Sequence, residues 1–117
     1  MIRFKTIKQL TKYSNKKTVI DSITFDSKKE AKYYTDLLAR QKKGEVSNIE
    51  LQPVFILQDK FRHNGKGIRA IEYRADFSFI ENGKKIVVDV KGFKNKIYLL
   101  KKKMLLFKYP DINFIET

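Results

Sequence analysis

The sequence predicts a mixed α/β fold in which one sheet is flanked by helices. Residues 71–90 alternate between polar and apolar around an Asn-Gly pair, which is typical of two strands joined by a tight turn. Two other segments repeat apolar residues at helical spacing. At 117 residues, without repeats or an internal linker, the chain is expected to form a single domain with one core. The predicted order is a small N-terminal hairpin, a helix, three strands, a helix and a final strand.

The segment Ile71–Gly92 is predicted to be a hairpin that turns at Asn82-Gly83, because a two-residue type I′ turn needs positive φ at both positions. In that register, Asp76 lies directly opposite Asp89. Side chains alternate between the two faces of a strand. One face is therefore expected to be polar, with Arg74, Asp76, Ser78, Asp89 and Lys91. The other face is expected to lie on the core, with Tyr73, Ala75, Phe77, Phe79, Ile86, Val88 and Val90.

The facing carboxylates of Asp76 and Asp89 have two interpretations. Like charges opposite each other in a sheet repel, so Arg74 and Lys91 could neutralise them in a surface charge cluster. Alternatively, the pair binds one divalent cation. Cross-strand Cβ atoms about 4.5–5.5 Å apart bring both carboxylates within reach of a hard metal ion. The hairpin by itself favours neither interpretation.

Residues 1–25 are interpreted as a basic N-terminal arm and a short hairpin, and residues 26–117 as the core of the domain. The hairpin is expected to cover Thr18–Phe25 and to turn at Asp21-Ser22. A basic arm could follow phosphate groups, or it could be a solvated chain end.

The first helix begins with a capping-box pattern, in which Ser27 is the N-cap and Glu30 reaches back from the third helical position. The helix is expected to run to about Lys43 and to end at Gly44. Glu30 thus has a structural role, although it lies near the edge of the buried stripe and could also point at the sheet.

The remaining elements surround the central hairpin. Ile49–Leu57 is predicted to be an edge strand, or one that begins near Pro53, because proline cannot donate to a ladder. A polar loop or long hairpin follows around Asn64-Gly65. A second helix is expected to end at Pro110 and to present an apolar stripe of Ile97, Leu100, Met104 and Phe107. A last short strand is expected at Ile112–Ile115.

Composition limits the function of the protein. The chain has 26 basic and 13 acidic residues, a net charge of +13, which points to a polyanionic partner and most simply to nucleic acid. It has no cysteine and one histidine, which excludes disulfides, thiolate zinc sites and histidine-rich metal sites. No apolar run approaches the roughly 18 residues of a membrane span, and no signal peptide opens the chain. A cytoplasmic protein without a membrane partner or a small-molecule cofactor is expected.

The spacing of Asp76, Asp89, Val90 and Lys91 resembles the motif of the PD-(D/E)XK nuclease superfamily, with Glu30 in the place of the helix carboxylate. The segments FDSKKEA, LQP, RAIEYRADF and VVDVKG resemble those of small phage and prophage nuclease-like proteins. Holliday-junction resolvases share the same core pattern. The resemblance covers roughly residues 25–116. It implies a restriction-endonuclease-like core, with a helix, a three-stranded antiparallel meander, a helix and a strand.

The resemblance also implies a chemistry and a set of site residues. Mg²⁺ or Mn²⁺ would be held by Asp76, Asp89 and the Val90 carbonyl, and Glu30 would hold a second ion or a metal-bound water. Lys91 would orient the attacking water or stabilise the developing charge, although a salt bridge to Asp76 or Asp89 is its structural alternative. Residues expected to bind DNA are Arg74, Lys94, Lys96, Lys101 and Lys102.

The predicted activity is a metal-dependent DNA endonuclease of phage origin that acts on branched DNA or recombination intermediates. Cutting both strands of a four-way junction requires two active sites, so a homodimer is expected. Two alternatives remain. One is an endonuclease that cuts or nicks ordinary duplex DNA, and the other is a DNA-binding module without catalytic activity.

Overall fold

The computed structural model describes residues 18–20, 23–90 and 95–117, which contain two helices and ten short strands. The helices are α1 (Lys28–Lys42) and α2 (Lys96–Lys108). The strands are β1 (Thr18–Ile20), β2 (Ile23–Phe25), β3 (Ser47–Leu51), β4 (Val54–Gln58), β5 (Phe61–His63), β6 (Lys66–Ile68), β7 (Ile71–Arg74), β8 (Phe77–Glu81), β9 (Lys84–Asp89) and β10 (Asn113–Glu116). Neither described helix has the length and apolar character needed to cross a membrane.

The strands form several sheets instead of the one sheet that was predicted. In the described residues, the largest sheet has the order β10-β9-β8-β3, and β10 is parallel to β9. The other strands pair two by two, β1 with β2, β4 with β7 and β5 with β6. Strand accounts for 44% and helix for 30% of the described residues. The predicted restriction-endonuclease-like core with its three-stranded meander is therefore wrong.

The first reason for this difference is a break in the predicted strand Ile49–Leu57. β3 ends at Leu51 and β4 begins at Val54. Between them, Gln52 has a φ of 50°, which turns the chain, and Pro53 has no N–H group to continue a ladder. As a result, β3 pairs with β8, whereas β4 leaves this sheet and pairs with β7.

A second break divides the predicted strand before the hairpin turn. β7 ends at Arg74 and β8 begins at Phe77. The two breaks face each other. Ala75 N donates to the carbonyl of Pro53 at 3.1 Å, and Gln52 N donates to the carbonyl of Asp76 at 2.9 Å. Asp76 therefore lies at a junction between two sheets.

The turn of the central hairpin is confirmed. Asn82 and Gly83 have φ values of 53° and 74°, as a type I′ turn requires. The predicted register holds along the described pairs, from Glu81 opposite Lys84 to Phe77 opposite Val88.

Both faces of the β8–β9 hairpin are buried, although only one was predicted to be. Phe77, Phe79, Ile86, Val88 and Val90 pack in one apolar cluster with Ala31 and Leu37 of α1. Val87 packs on the other face with Leu105 of α2. Tyr73 and Ala75 belong to this second cluster, so their predicted place beside Phe77 is wrong because the chain breaks at Asp76.

The N-cap of α1 at Ser27 is confirmed. The Ser27 hydroxyl accepts a hydrogen bond from the backbone N–H of Glu30 at 3.1 Å. The helix ends one residue before Lys43, and Gly44 follows with a φ of 80°. The paired strands β1 and β2 confirm the short hairpin before it. The predicted basic arm and the Asp21-Ser22 turn lie outside the described residues.

The face on which α2 docks differs from the prediction. The expected stripe is largely exposed, with 65% of Ile97, 58% of Leu100 and 89% of Phe107 accessible, whereas Leu105 is fully buried. Tyr98 lies on the same side of the helix as Leu105, and its hydroxyl donates a hydrogen bond to Glu116 of β10. Packing in the second cluster and this polar contact together fix the rotation of the helix.

Candidate active site

Asp76 and Asp89 lie at the same end of the β8–β9 pair. Asp76 Oδ2 accepts a hydrogen bond from the backbone N–H of Val90 at 2.7 Å. The backbone N–H of Asp76 donates to the carbonyl of Val88 at 3.0 Å. Asp89 is the last residue of β9. The structure thus places both predicted acids next to the break in the sheet, with Val90 bound to one of them.

Tyr73 contacts one of these acids, Asp89. Its hydroxyl donates a hydrogen bond to Asp89 Oδ2 at 2.6 Å, and the tyrosine is buried in the second cluster. Burial raises the pKa of Tyr73 far above its ordinary value, and the hydrogen bond to Asp89 and the charges of Asp89 and Asp76 raise that pKa further. The negative charges of both carboxylates therefore oppose ionisation of this hydroxyl.

Glu30 and Asp76 line one small cavity, although they are far apart in the sequence. The cavity has a volume of about 10 Å³, which is roughly the space of one water-sized particle. Gln52 adds an amide group to its wall. Glu30 is 4% exposed and lies in the first turn of α1, where the helix dipole favours a negative charge. The remaining wall is apolar and consists of Ile23, Phe25, Leu51 and Phe77, together with Thr24.

This cavity suits an ion that the substrate helps to bind. Carboxylate and amide oxygens are the donors that Mg²⁺ prefers, and Mg²⁺ in phosphoryl-transfer enzymes takes one or two carboxylates plus substrate phosphates. Within the described ranges, no three His, Cys, Asp or Glu side chains converge as a metal-binding group. Glu30 and Asp76 are the two carboxylates that line this cavity among the described residues.

A second hydrogen-bonded group adjoins Asp89. Glu116 of β10 pairs with Asp89 of β9 across the parallel strands. The Tyr98 hydroxyl and the Lys102 ammonium group both donate to Glu116, the latter at 2.8 Å. Burial raises the pKa of Tyr98, and its hydrogen bond to Glu116 adds to the effect. Lys102, which was predicted to bind DNA, thus forms an ion pair within the protein.

An open cleft of about 540 Å³ lies between β7 and the start of α2. Tyr73 lines it and also contacts Asp89, so the cleft adjoins the acidic group. The predicted DNA-binding residues Arg74 of β7 and Lys101 of α2 both line this cleft. The described residues that line it are Ala70, Glu72, Tyr73 and Arg74 from β7 and the residue before it, and Asn95, Ile97, Tyr98 and Lys101 from the start of α2.

The other predicted site residues are placed as follows. Lys96 is exposed in the first turn of α2 and does not line the cleft. Lys91 and Lys94 lie outside the described residues.

Four polar residues near the site were not predicted from the sequence, namely Gln52, Tyr73, Tyr98 and Glu116. The alternation pattern assigned Tyr73 to the core, and this is correct for its ring, but its hydroxyl contacts Asp89. An acid in the last strand is the signal that could have identified Glu116. Gln52 gives no comparable signal, since its role depends on the break between β3 and β4.

Comparison with protein families gives a match over most of the chain. Residues 10–116 match a family described as "Protein of unknown function (DUF1064)". No curated protein matches the chain. Because the family match spans nearly the whole sequence, the chain belongs to the DUF1064 family.

Proposed function

We propose that this protein is a metal-dependent DNA endonuclease that hydrolyses phosphodiester bonds with a PD-(D/E)XK type of residue set. The observation that supports this most is the meeting of Glu30 and Asp76 at one cavity, with Asp89 held nearby by Tyr73. These acids come from α1, from the junction of two sheets and from the end of β9. An arrangement that collects acids from three separate elements favours a functional site.

Each residue has a proposed role. Glu30 and Asp76 would hold Mg²⁺ or Mn²⁺, and Asp89 would be the third acid of the site. When bound, such an ion lowers the pKa of water and offsets the charge that develops on the phosphate. The hydroxyl of Tyr73 fixes the orientation of the Asp89 carboxylate. Lys91, two residues after Asp89, is proposed to stabilise the developing charge, as the sequence motif implies.

The cleft is the proposed path of the DNA backbone. Arg74 and Lys101 both line it, and Tyr73 in its wall contacts Asp89. A phosphate group bound between the two cations would therefore lie beside the acids. The net charge of +13 supports attraction of a polyanion over a longer range.

Branched DNA remains the proposed substrate, with a homodimer acting on it in the cytoplasm. The test is a set of labelled linear, nicked, forked and four-way substrates, incubated with Mg²⁺, with Mn²⁺ or with a chelator. Metal-dependent cleavage that favours the four-way substrate, together with a dimer in sedimentation, supports the full proposal. Equal cleavage of linear duplex by a monomer supports the plain endonuclease. Metal-independent binding without cleavage of any substrate contradicts the proposed activity.

A further inference from the structure

The chain between the two breaks forms two successive antiparallel strand pairs, which together are called the ribbon. β4 pairs with β7 at its base and β5 pairs with β6 at its outer end, with residues 59–60 and 69–70 between the two pairs. The tip is a tight turn in which Asn64 and Gly65 have φ values of 49° and 78°. The base of the ribbon is anchored, because Phe55, Leu57 and Tyr73 belong to the second apolar cluster.

The outer half of the ribbon projects from the rest of the described chain. Every residue from 58 to 69 is exposed, and none belongs to either apolar cluster. At about 3.3 Å per residue, the six residues from Gln58 to the tip extend roughly 20 Å. Four basic residues, Lys60, Arg62, Lys66 and Arg69, and only one acid, Asp59, lie in this part.

The strand pairing divides these side chains between two faces. Phe61 opposes Ile68 and His63 opposes Lys66, so these four share one face. Lys60, Arg62 and Arg69 lie on the other face. Arg62 opposes Gly67 there, and an added Cβ at Gly67 would meet no atom within 4 Å. This face is therefore basic and sterically open.

Arg62 is also held in place. Its Nη2 donates to the carbonyl of Gly65 at 2.6 Å, which leaves other guanidinium N–H groups to bind a ligand. A fixed guanidinium loses less conformational freedom on binding than a mobile one.

We propose that the outer half of this ribbon, residues 58–69, inserts into a groove of duplex DNA, with the face of Lys60, Arg62 and Arg69 toward the nucleic acid. The major groove of B-DNA is about 12 Å wide and about 8.5 Å deep and admits a two-stranded ribbon. The ribbon reaches farther than this depth. Its excess of positive charge complements the phosphates that line the groove.

The ribbon is continuous with the proposed active site. Ala70, Glu72 and Arg74, at the base of its returning strand, line the cleft beside Asp89. Duplex held by the outer half would therefore run toward the cleft. The inference rests on the proposed function for its choice of DNA as the partner, but it concerns binding and not cleavage.

The first test compares two triple variants by their affinity for a short duplex oligonucleotide in the presence of a chelator. One variant combines Lys60→Gln, Arg62→Gln and Arg69→Gln. The matched control combines Lys42→Gln, Lys43→Gln and Lys84→Gln, which removes the same charge at exposed positions far from the acids.

The ribbon variant should bind about tenfold more weakly or worse. The slope of log affinity against log salt should become shallower by about 0.9 for each phosphate that the variant no longer neutralises. The control should change much less. Equal effects of the two variants would overturn the proposal.

The second test follows the tip of the ribbon directly. The chain has no cysteine, so His63→Cys gives a unique attachment point for a fluorophore. Added duplex should reduce quenching of this label by neutral acrylamide, whereas a label at Lys42→Cys should stay accessible. A tip label that remains fully accessible in the bound state contradicts insertion.

These results are separable from those on the nuclease. If the wild-type protein cleaves no DNA but the ribbon variant still binds more weakly than the control, the ribbon proposal stands and the endonuclease proposal fails. If cleavage is metal-dependent but the ribbon variant binds DNA as the control does, the endonuclease proposal stands and the ribbon proposal fails.

Discussion

Asp76 is bound to the backbone of Val90, with 2.7 Å between its Oδ2 and the amide nitrogen. Val90 is 2% exposed, so this N–H group has no access to bulk water as an alternative partner. Asp76 thus stabilises the end of β9, in addition to any role that it has with a metal ion. The two roles can be separated by the choice of substitution.

Replacement of Asp76 by asparagine should abolish cleavage and leave the fold intact. The amide oxygen of Asp76→Asn can still accept from Val90, but it lacks the charge that a metal ion needs. Asp76→Ala should also be inactive and should lower the free energy of unfolding by about 1–3 kcal/mol, because a buried N–H loses its acceptor. Urea unfolding and a cleavage assay measure both effects. The sequence alone predicts no loss of stability for the alanine variant, because it shows only two acids that repel. Equal stability of the two variants would show that the Val90 contact contributes little.

Glu30→Gln should lose cleavage activity without a change in melting temperature. Glutamine serves as well as glutamate at the third position of a capping box, and the hydrogen bond from the Glu30 N–H to the Ser27 hydroxyl does not involve the substituted side chain. Ser27→Ala is the control, and it should cost about 1 kcal/mol of stability while activity is retained below the transition. A fully active glutamine variant would limit Glu30 to a structural role.

Tyr73→Phe should change how stability depends on pH. Burial, then the hydrogen bond to Asp89, holds the pKa of Tyr73 above its ordinary value of 10.0 in the folded protein. Above about pH 10 the unfolded chain loses this proton and the folded protein keeps it. The free energy of unfolding should therefore fall with rising pH, by up to about 1.4 kcal/mol per pH unit for one such group. Urea unfolding between pH 8 and pH 11 should show a shallower decline for Tyr73→Phe. Identical profiles would mean that the hydroxyl ionises as freely in the folded protein.

Lys101 and Lys102 should behave differently although they are neighbours. Lys101 lines the cleft, so Lys101→Gln should reduce the salt dependence of DNA binding by about 0.9 on the log–log slope. Lys102 is 2.8 Å from Glu116 and lies over the ring of Phe114. Lys102→Gln should instead lower stability and leave the slope nearly unchanged. A shallower slope for Lys102→Gln, with an unchanged slope for Lys101→Gln, would place the DNA on the other side of α2.

Local sequence signals predicted the elements that depend on neighbouring residues. The Asn82-Gly83 turn and the Ser27 cap each depend on residues a few positions apart, and both are confirmed. The turn also fixed the register that brings Asp76 and Asp89 to the same end of the hairpin. Pro53 also indicated a strand that begins near it, as β4 does at Val54, but the contact of Gln52 N with the Asp76 carbonyl could not be predicted in this way, since Asp76 is far along the chain.

The orientation of α2 shows a second limit of the sequence. Ile97, Leu100 and Phe107 follow helical spacing, but Tyr98, Leu105 and Tyr109 do so equally well, and Met104 packs in the second cluster with this latter set. Only the contacts with Val87 and Glu116 decide between these stripes, and they come from other parts of the chain. The polar contacts of Tyr73 and Tyr98 could not be predicted for the same reason, because the spacing of apolar residues counts an aromatic side chain as core and ignores its hydroxyl.

Cleavage of covalently closed plasmid DNA by the wild-type protein and by Asp76→Asn tests the central claim most directly. With Mg²⁺ or Mn²⁺, the wild-type protein should convert the closed circles to nicked or linear molecules. A chelator should stop this reaction, and the folded Asp76→Asn variant should bind DNA without cutting it. Intact plasmid with the wild-type protein and either ion, or equal cutting by the variant, would contradict the assignment of these acids to a nuclease site.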